Sequence, residues 1–139
     1  MKSLIAVFGL VLTLCSLPVE ATQNPVVAVS RGQIVTNSSI AVASSGTTSG
    51  AITTNGLQPV LFIAPAALTS TAMTFTTSAT VGGTYVPLYN SSGLVSYTIA
   101  QGEATAINSA DFAGVLYFKI VLGTSEASAR TLTMMLKGQ

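Results

Sequence analysis

Thr71-Ala72-Met73-Thr74-Phe75-Thr76-Thr77-Ser78 is followed, after a short break, by Gly82-Gly83 and then by Tyr85-Val86-Pro87-Leu88-Tyr89. The first run sets Met73, Phe75 and Thr77 against Thr74 and Thr76, the period-two pattern of a strand that buries one face and offers hydroxyls on the other. Glycine reaches positive φ without steric penalty, so Gly82-Gly83 predicts a hairpin turn with Tyr85–Tyr89 as the partner strand. Pro87 has no N–H to give to a ladder, which places it at a sheet edge or a bulge.

The pattern continues toward the C-terminus. Asn90-Ser91-Ser92-Gly93 reads as a second turn, and Val95, Tyr97 and Ile99 put another alternating face on the core. Ser109 to Gly114 reads as one helical turn, with Ser109 as N-cap, Asp111 at the positive end of the dipole and Gly114 as the stop. Leu116, Phe118, Ile120 and Leu122 then alternate with Tyr117, Lys119 and Val121, and in the last strand, Arg130 to Lys137, Leu132, Met134 and Leu136 point inward.

Toward the N-terminus, Pro59-Val60-Leu61-Phe62-Ile63-Ala64-Pro65 is apolar in both phases, which predicts a central strand covered on both faces. Val26–Val29, Ile34-Val35 and Ile40–Ala43 are short β-branched pieces, residues 44–50 form a loop, and Gly50 to Thr53 resumes extended structure. These elements predict an all-β fold: a single antiparallel β-sandwich, jelly-roll-like, of about eight or nine short strands. Phe62, Phe75, Phe118, Ile120, Leu132 and Met134 are its expected core.

A different pattern precedes the strands. Lys2 is followed by an apolar run from Leu4 to Leu17, closed by Pro18 and the small-residue exit Val19-Glu20-Ala21. That is the layout of a secretory signal peptide, and the run is short of the roughly 20 apolar residues that a spanning helix needs. Residues 1–21 are therefore expected to be a hydrophobic leader helix, cleaved or retained, and residues 22–139 one domain. The only cysteine, Cys15, lies in the leader, so the domain has no disulfide.

Charged residues make up 6% of the chain and the formal net charge is +1. Arg31, Lys119, Arg130 and Lys137 are scattered, which argues against nucleic acid as a partner. A low-charge surface rich in Ser and Thr does little to keep copies apart, so assembly is expected.

The chain has no histidine, which removes the commonest general base and imidazole ligand. The domain's carboxylates are Glu103, Asp111 and Glu126, turn-flanking acids that make a poor pair for a shared cleft. No catalytic, cofactor-binding or metal-ligating residue is assigned, no cofactor is expected, and an enzyme is not expected. Tyr85, Tyr89, Tyr97 and Tyr117 could offer a sugar-stacking platform, although strand-spaced aromatics more often serve packing. Asn37-Ser38-Ser39 and Asn90-Ser91-Ser92 match the glycosylation acceptor pattern.

From Ile40 to Leu136 the order of these signals resembles a family of small β-sandwich virion, head-fibre or decoration-type proteins of tailed bacteriophages and prophages. The residues that carry the resemblance are Gly50-Ala51-Ile52, Pro59 to Ala66, Leu68 to Phe75, Gly82-Gly83-Thr84-Tyr85, Asp111-Phe112-Ala113-Gly114, Phe118-Lys119-Ile120 and Arg130 to Met134. The resemblance implies a structural protein of the virion surface. Its partners would be other virion proteins or copies of itself, with a membrane contact only through a retained leader. The alternative is a secreted or periplasmic binding or adhesin module, exported after leader cleavage.

Overall fold

The computed structural model describes residues 34–138. The leader at 1–21 and the strand expected at Val26–Val29 lie outside them. Among the described residues no helix is long and apolar enough to cross a membrane.

The architecture is all-β, built from antiparallel sheets. The first sheet contains β1 (Val35–Val42), β3 (Gln58–Ile63), β9 (Ala104–Ala106) and β11 (Arg130–Lys137), in the order β1-β11-β3-β9. In the second, β2 (Ile52–Thr53), β10 (Tyr117–Leu122), β4 (Ala72–Ser78) and β5 (Val86–Pro87) run in that order, and β8 (Ser96–Thr98) also pairs with β4. A separate ribbon joins β6 (Tyr89–Asn90) to β7 (Gly93–Leu94). The described residues thus hold eleven strands where eight or nine were expected, because several are two-residue pairings below the reach of a periodicity argument.

The phases read from the sequence place the core. Met73 and Phe75 on β4, Phe118, Ile120 and Leu122 on β10, and Leu132, Met134 and Leu136 on β11 are all buried, and Phe62 joins them from β3. These residues of both sheets belong to one hydrophobic cluster. Its centre is aromatic: the Phe75 ring meets Phe112 edge-on at 4.9 Å, and Phe112 meets Phe118 at 5.3 Å. Offset and edge-on pairs of this kind add about 0.5–1.5 kcal/mol each beyond the area they bury.

Several local readings change. β1 is one continuous strand through Asn37-Ser38-Ser39, held by an eight-residue register with β11, where the sequence suggested two pieces. β3 is central, but only its inward face is covered: Phe62 is buried, Leu61 is half-buried and Ile63 is 38% exposed. No described element stacks on the outward side of the first sheet. Leu116, expected inward, is 53% exposed because it precedes β10, whose inward phase begins at Phe118.

The short helical turn is a 3-10 turn, Ser109–Phe112, and its N-cap is Asn108, whose side chain accepts from the Ala110 N–H. Gly114, at φ 79°, ends it as expected. Gly93 takes φ 124° in the β6–β7 turn, where a side chain would be strained. Gly83 does not take a positive φ, and a Cβ there would lie 2.6 Å from the hydroxyls of Ser78 and Thr80, which would have to turn aside.

Candidate functional site

Among the described residues Glu126 is the one charged side chain that is buried. It sits between β10 and β11 in a run of small residues, and its side chain has 0% exposure. Three donors converge on the carboxylate. The N–H of Thr69 lies 3.0 Å from both oxygens, the N–H of Ser70 lies 3.0 Å from Oε1, and Arg130 Nε lies 3.3 Å from Oε2. Burial alone would push this carboxyl up. The N–H groups of Ser70 and Thr69 and the Arg130 guanidinium outweigh it and hold the group below the ordinary glutamate range.

The backbone of Glu126 is used as well. Its carbonyl accepts from the Ser45 N–H and its own N–H donates to the Gly46 carbonyl. One residue therefore ties the loop after β1, the loop before β4 and the start of β11. Ser70 extends the knot, donating through its hydroxyl to the Ala72 carbonyl and accepting from the Gly123 N–H. This is a structural ion pair with its donors committed, so sequence reasoning that treated Glu126 as a turn-flanking acid missed its burial. The available signal was an acid four residues before Arg130 inside an otherwise uncharged segment.

Asp111 lies in a second, shallower network. It accepts from Asn90 Nδ2 at 3.0 Å, from Asn108 Nδ2 at 3.3 Å and from the Tyr97 hydroxyl at 3.3 Å, and that hydroxyl accepts in turn from the Asn108 N–H. Burial of the Tyr97 ring pushes its hydroxyl up, the Asn108 N–H opposes this, and the neighbouring Asp111 charge adds to the rise. Glu103 is exposed, and its carbonyl caps the end of β3 by accepting from the Ala64 N–H. The three carboxylates share no partner. Among the described residues no group of three His, Cys, Asp or Glu side chains could hold a metal ion.

The tyrosines do not form one platform. Tyr97 is half-buried against Phe75, Tyr85 lies under the Lys119 ammonium at 4.2 Å on the outward side of the second sheet, and Tyr89 stands 64% exposed on the β6–β7 ribbon. A depression of about 300 Å³ opens beside the end of β4. Thr77, Ser78, Thr84, Val86 and Leu116 are among the residues that line it.

The remaining candidate is a surface. On the outward side of the first sheet, the register places Leu61 beside Met135 and Ala106, and Ile63 beside Thr133 and Ala104. The row Met135-Leu61-Ala106 is thus apolar across three strands, the adjacent row sets Ile63 and Ala104 beside the hydroxyl of Thr133, and Asn37 and Ser39 continue the two rows on β1. The charge carried on this face by the four strands is that of Lys137, at its margin opposite Val35. Desolvating such a face costs little, because it holds few groups that need water.

The chain matches no protein-family model, no curated protein and no solved structure.

Proposed function

We propose that this protein is a non-enzymatic structural component that works by protein–protein assembly, as a decoration, head-fibre or accessory surface protein of a phage virion. The observation that carries the assembly reading is the low-charge outward face around Leu61, Ile63 and Met135, which has no described cover. The virion assignment rests on the resemblance in order and spacing from Ile40 to Leu136. In this reading the two sheets form one jelly-roll-like antiparallel sandwich, supported by the single core that their inward phases share. Surface contact then does what turnover would do in an enzyme, and the polar groups of Glu126 and Asp111 serve the fold.

The test is a charge placed on the assembly face. Thr133 lies between Ser39 and Ile63 on that face, and Thr133→Lys would bury an unpaired ammonium in any interface formed there. The expected result is loss of particle incorporation, or of multimer mass by light scattering, with thermal melting unchanged. The companion variant, Glu103→Gln with Asp111→Asn, should keep its role. If the companion lost function while folded and Thr133→Lys behaved as wild type, the assembly reading would be wrong.

The second reading, an exported binding or adhesin module, is favoured by the exposed Tyr89 ring on its ribbon opposite Leu94. Selective glycan binding that is lost in Tyr89→Ala would put it first.

A further inference from the structure

Among the described residues the edge of the first sheet at β1 is long and, from Val35 to Ser39, unpaired. β1 runs for eight residues, and its residues Val35 to Val42 include no charge and no proline. Its pairing with β11 has no register shift, so no bulge twists the edge away. Sheet edges are normally blunted by one of these devices, because a row of free N–H and C=O groups is a template for another strand. The other edge strands, β9, β2 and β5, are two or three residues long.

Which backbone groups face outward follows from the ladder. In an antiparallel pair alternate residues direct both their N–H and C=O to one neighbour. The Ile34 carbonyl accepts from the Gly138 N–H, so even-numbered residues face β11, and the Ala41 carbonyl accepts from the Gly50 N–H, so odd-numbered residues face the free edge. Ala41 is thereby already engaged. Val35, Asn37 and Ser39 have no partner for their free-edge groups among the described residues.

We infer that β1 pairs edge to edge with β1 of a second copy of this chain, antiparallel about a two-fold axis at Asn37. The free groups select this register. With Asn37 opposite its own mate and Val35 opposite Ser39, each of the three residues exchanges two hydrogen bonds, and every group used is one the protomer leaves free. A register shifted by one residue on each strand would set Val35 against Ala41, whose carbonyl is taken by Gly50.

Charge permits the approach. Among the described residues the nearest charged side chain is Lys137, opposite Val35 on β11, and in this arrangement the two copies of Lys137 lie roughly 20 Å apart from strand spacing and rise, about twice the screening length at 0.1 M salt. Ile34 and Val35, which are 59% and 40% exposed, would be partly covered at the ends of the new ladder. The result is a continuous eight-stranded sheet in which the Met135-Leu61-Ala106 rows of the two copies lie in line, joined across the seam by the paired Asn37 residues. This inference rests on the assembly reading and supplies its first contact.

The test uses the full chain and two variants, Asn37→Pro and Ser39→Lys. Proline at 37 removes an N–H that faces the free edge and leaves the bonds to β11 in place, and lysine at 39 places a charge against the ladder without touching the backbone. Sedimentation velocity should give two-copy mass for the wild type, and association weakened roughly 10- to 100-fold in each variant, with unchanged far-UV circular dichroism. Hydrogen exchange at the amides of Val35, Asn37 and Ser39 should be slow in the wild type and at least roughly tenfold faster in Ser39→Lys.

A wild-type chain of single-copy mass overturns the inference, including when those amides are protected, because a monomer's own preceding residues would then cover the edge. A multimer whose mass neither variant changes also overturns it. Both results leave the assembly reading to the Thr133→Lys particle experiment, which probes the sheet face instead of its edge.

Discussion

Replacing Glu126 separates a structural carboxylate from a reactive one. In Glu126→Ala the N–H groups of Thr69 and Ser70 and the Arg130 guanidinium lose their acceptor together. A buried donor left unpaired costs about 1–3 kcal/mol, and removing one partner of a buried ion pair costs about 3–5 kcal/mol. Arg130 is 22% exposed and regains water, so the low end applies to its share and the total should be about 3–4 kcal/mol. Glu126→Gln keeps one acceptor oxygen but turns an amide NH2 toward a donor, for a loss of about 2–3 kcal/mol.

Equilibrium denaturation followed by circular dichroism measures both. A loss under about 1 kcal/mol in both variants would refute the reasoning, since it would mean that the three donors find water. The same carboxylate predicts acid sensitivity. Its folded pKa is lowered, so its contribution is complete at pH values above the ordinary glutamate value of 4.5 and is lost as pH falls from there through the folded value. Wild type should therefore lose stability on acidification more steeply than Glu126→Gln, and parallel pH profiles would count against it. An amide at Glu126 is accordingly no test of chemistry, because it also loosens the ties between the loop after β1, the loop before β4 and the start of β11.

Phe118→Ala removes a fully buried ring from the aromatic centre and should cost about 3–5 kcal/mol by the same denaturation assay; a cost below about 1 kcal/mol would mean that the inward phase of β10 is misassigned. Gly93→Ala forces a Cβ onto φ 124° and should cost about 1–2 kcal/mol, read as a lower denaturation midpoint with an unchanged slope. Of the tyrosines, Tyr97 should ionise above the ordinary value of 10.0, so absorbance titration should show a late step that disappears in Tyr97→Phe. An unchanged titration curve in that variant would contradict the burial of its hydroxyl beside Asp111.

Much of the strand phase was legible because it is a local property. Met73 and Phe75, Ile120 and Leu122, and Leu132 and Met134 alternate with polar or smaller residues, and a period of two can be met only by burying one side of an extended chain. The β6–β7 turn was legible at Asn90 to Gly93 for a similar reason, since glycine alone tolerates its backbone there. The apolar double phase of Pro59 to Pro65 misled, because a run without alternation signals apolar surface but not whether another layer covers it. Leu61 and Ile63 are apolar and outward, and that surface became the candidate site.

Neighbours in the chain thus set which residues of β4, β10 and β11 turn inward, where the chain reverses, and how little charge the surface carries. Only the tertiary structure decided that β1 lies against β11 and β10 against β4, because hydrophobic phase fixes a face and is silent about the partner across the ladder. It also decided the fate of Glu126, whose donors Thr69 and Ser70 come from a loop more than fifty positions away. The free edge of β1 has the same origin: which backbone groups remain unbonded depends on where Gly50 and Gly138 return to the strand, and chain closure over such distances leaves no local mark in the sequence.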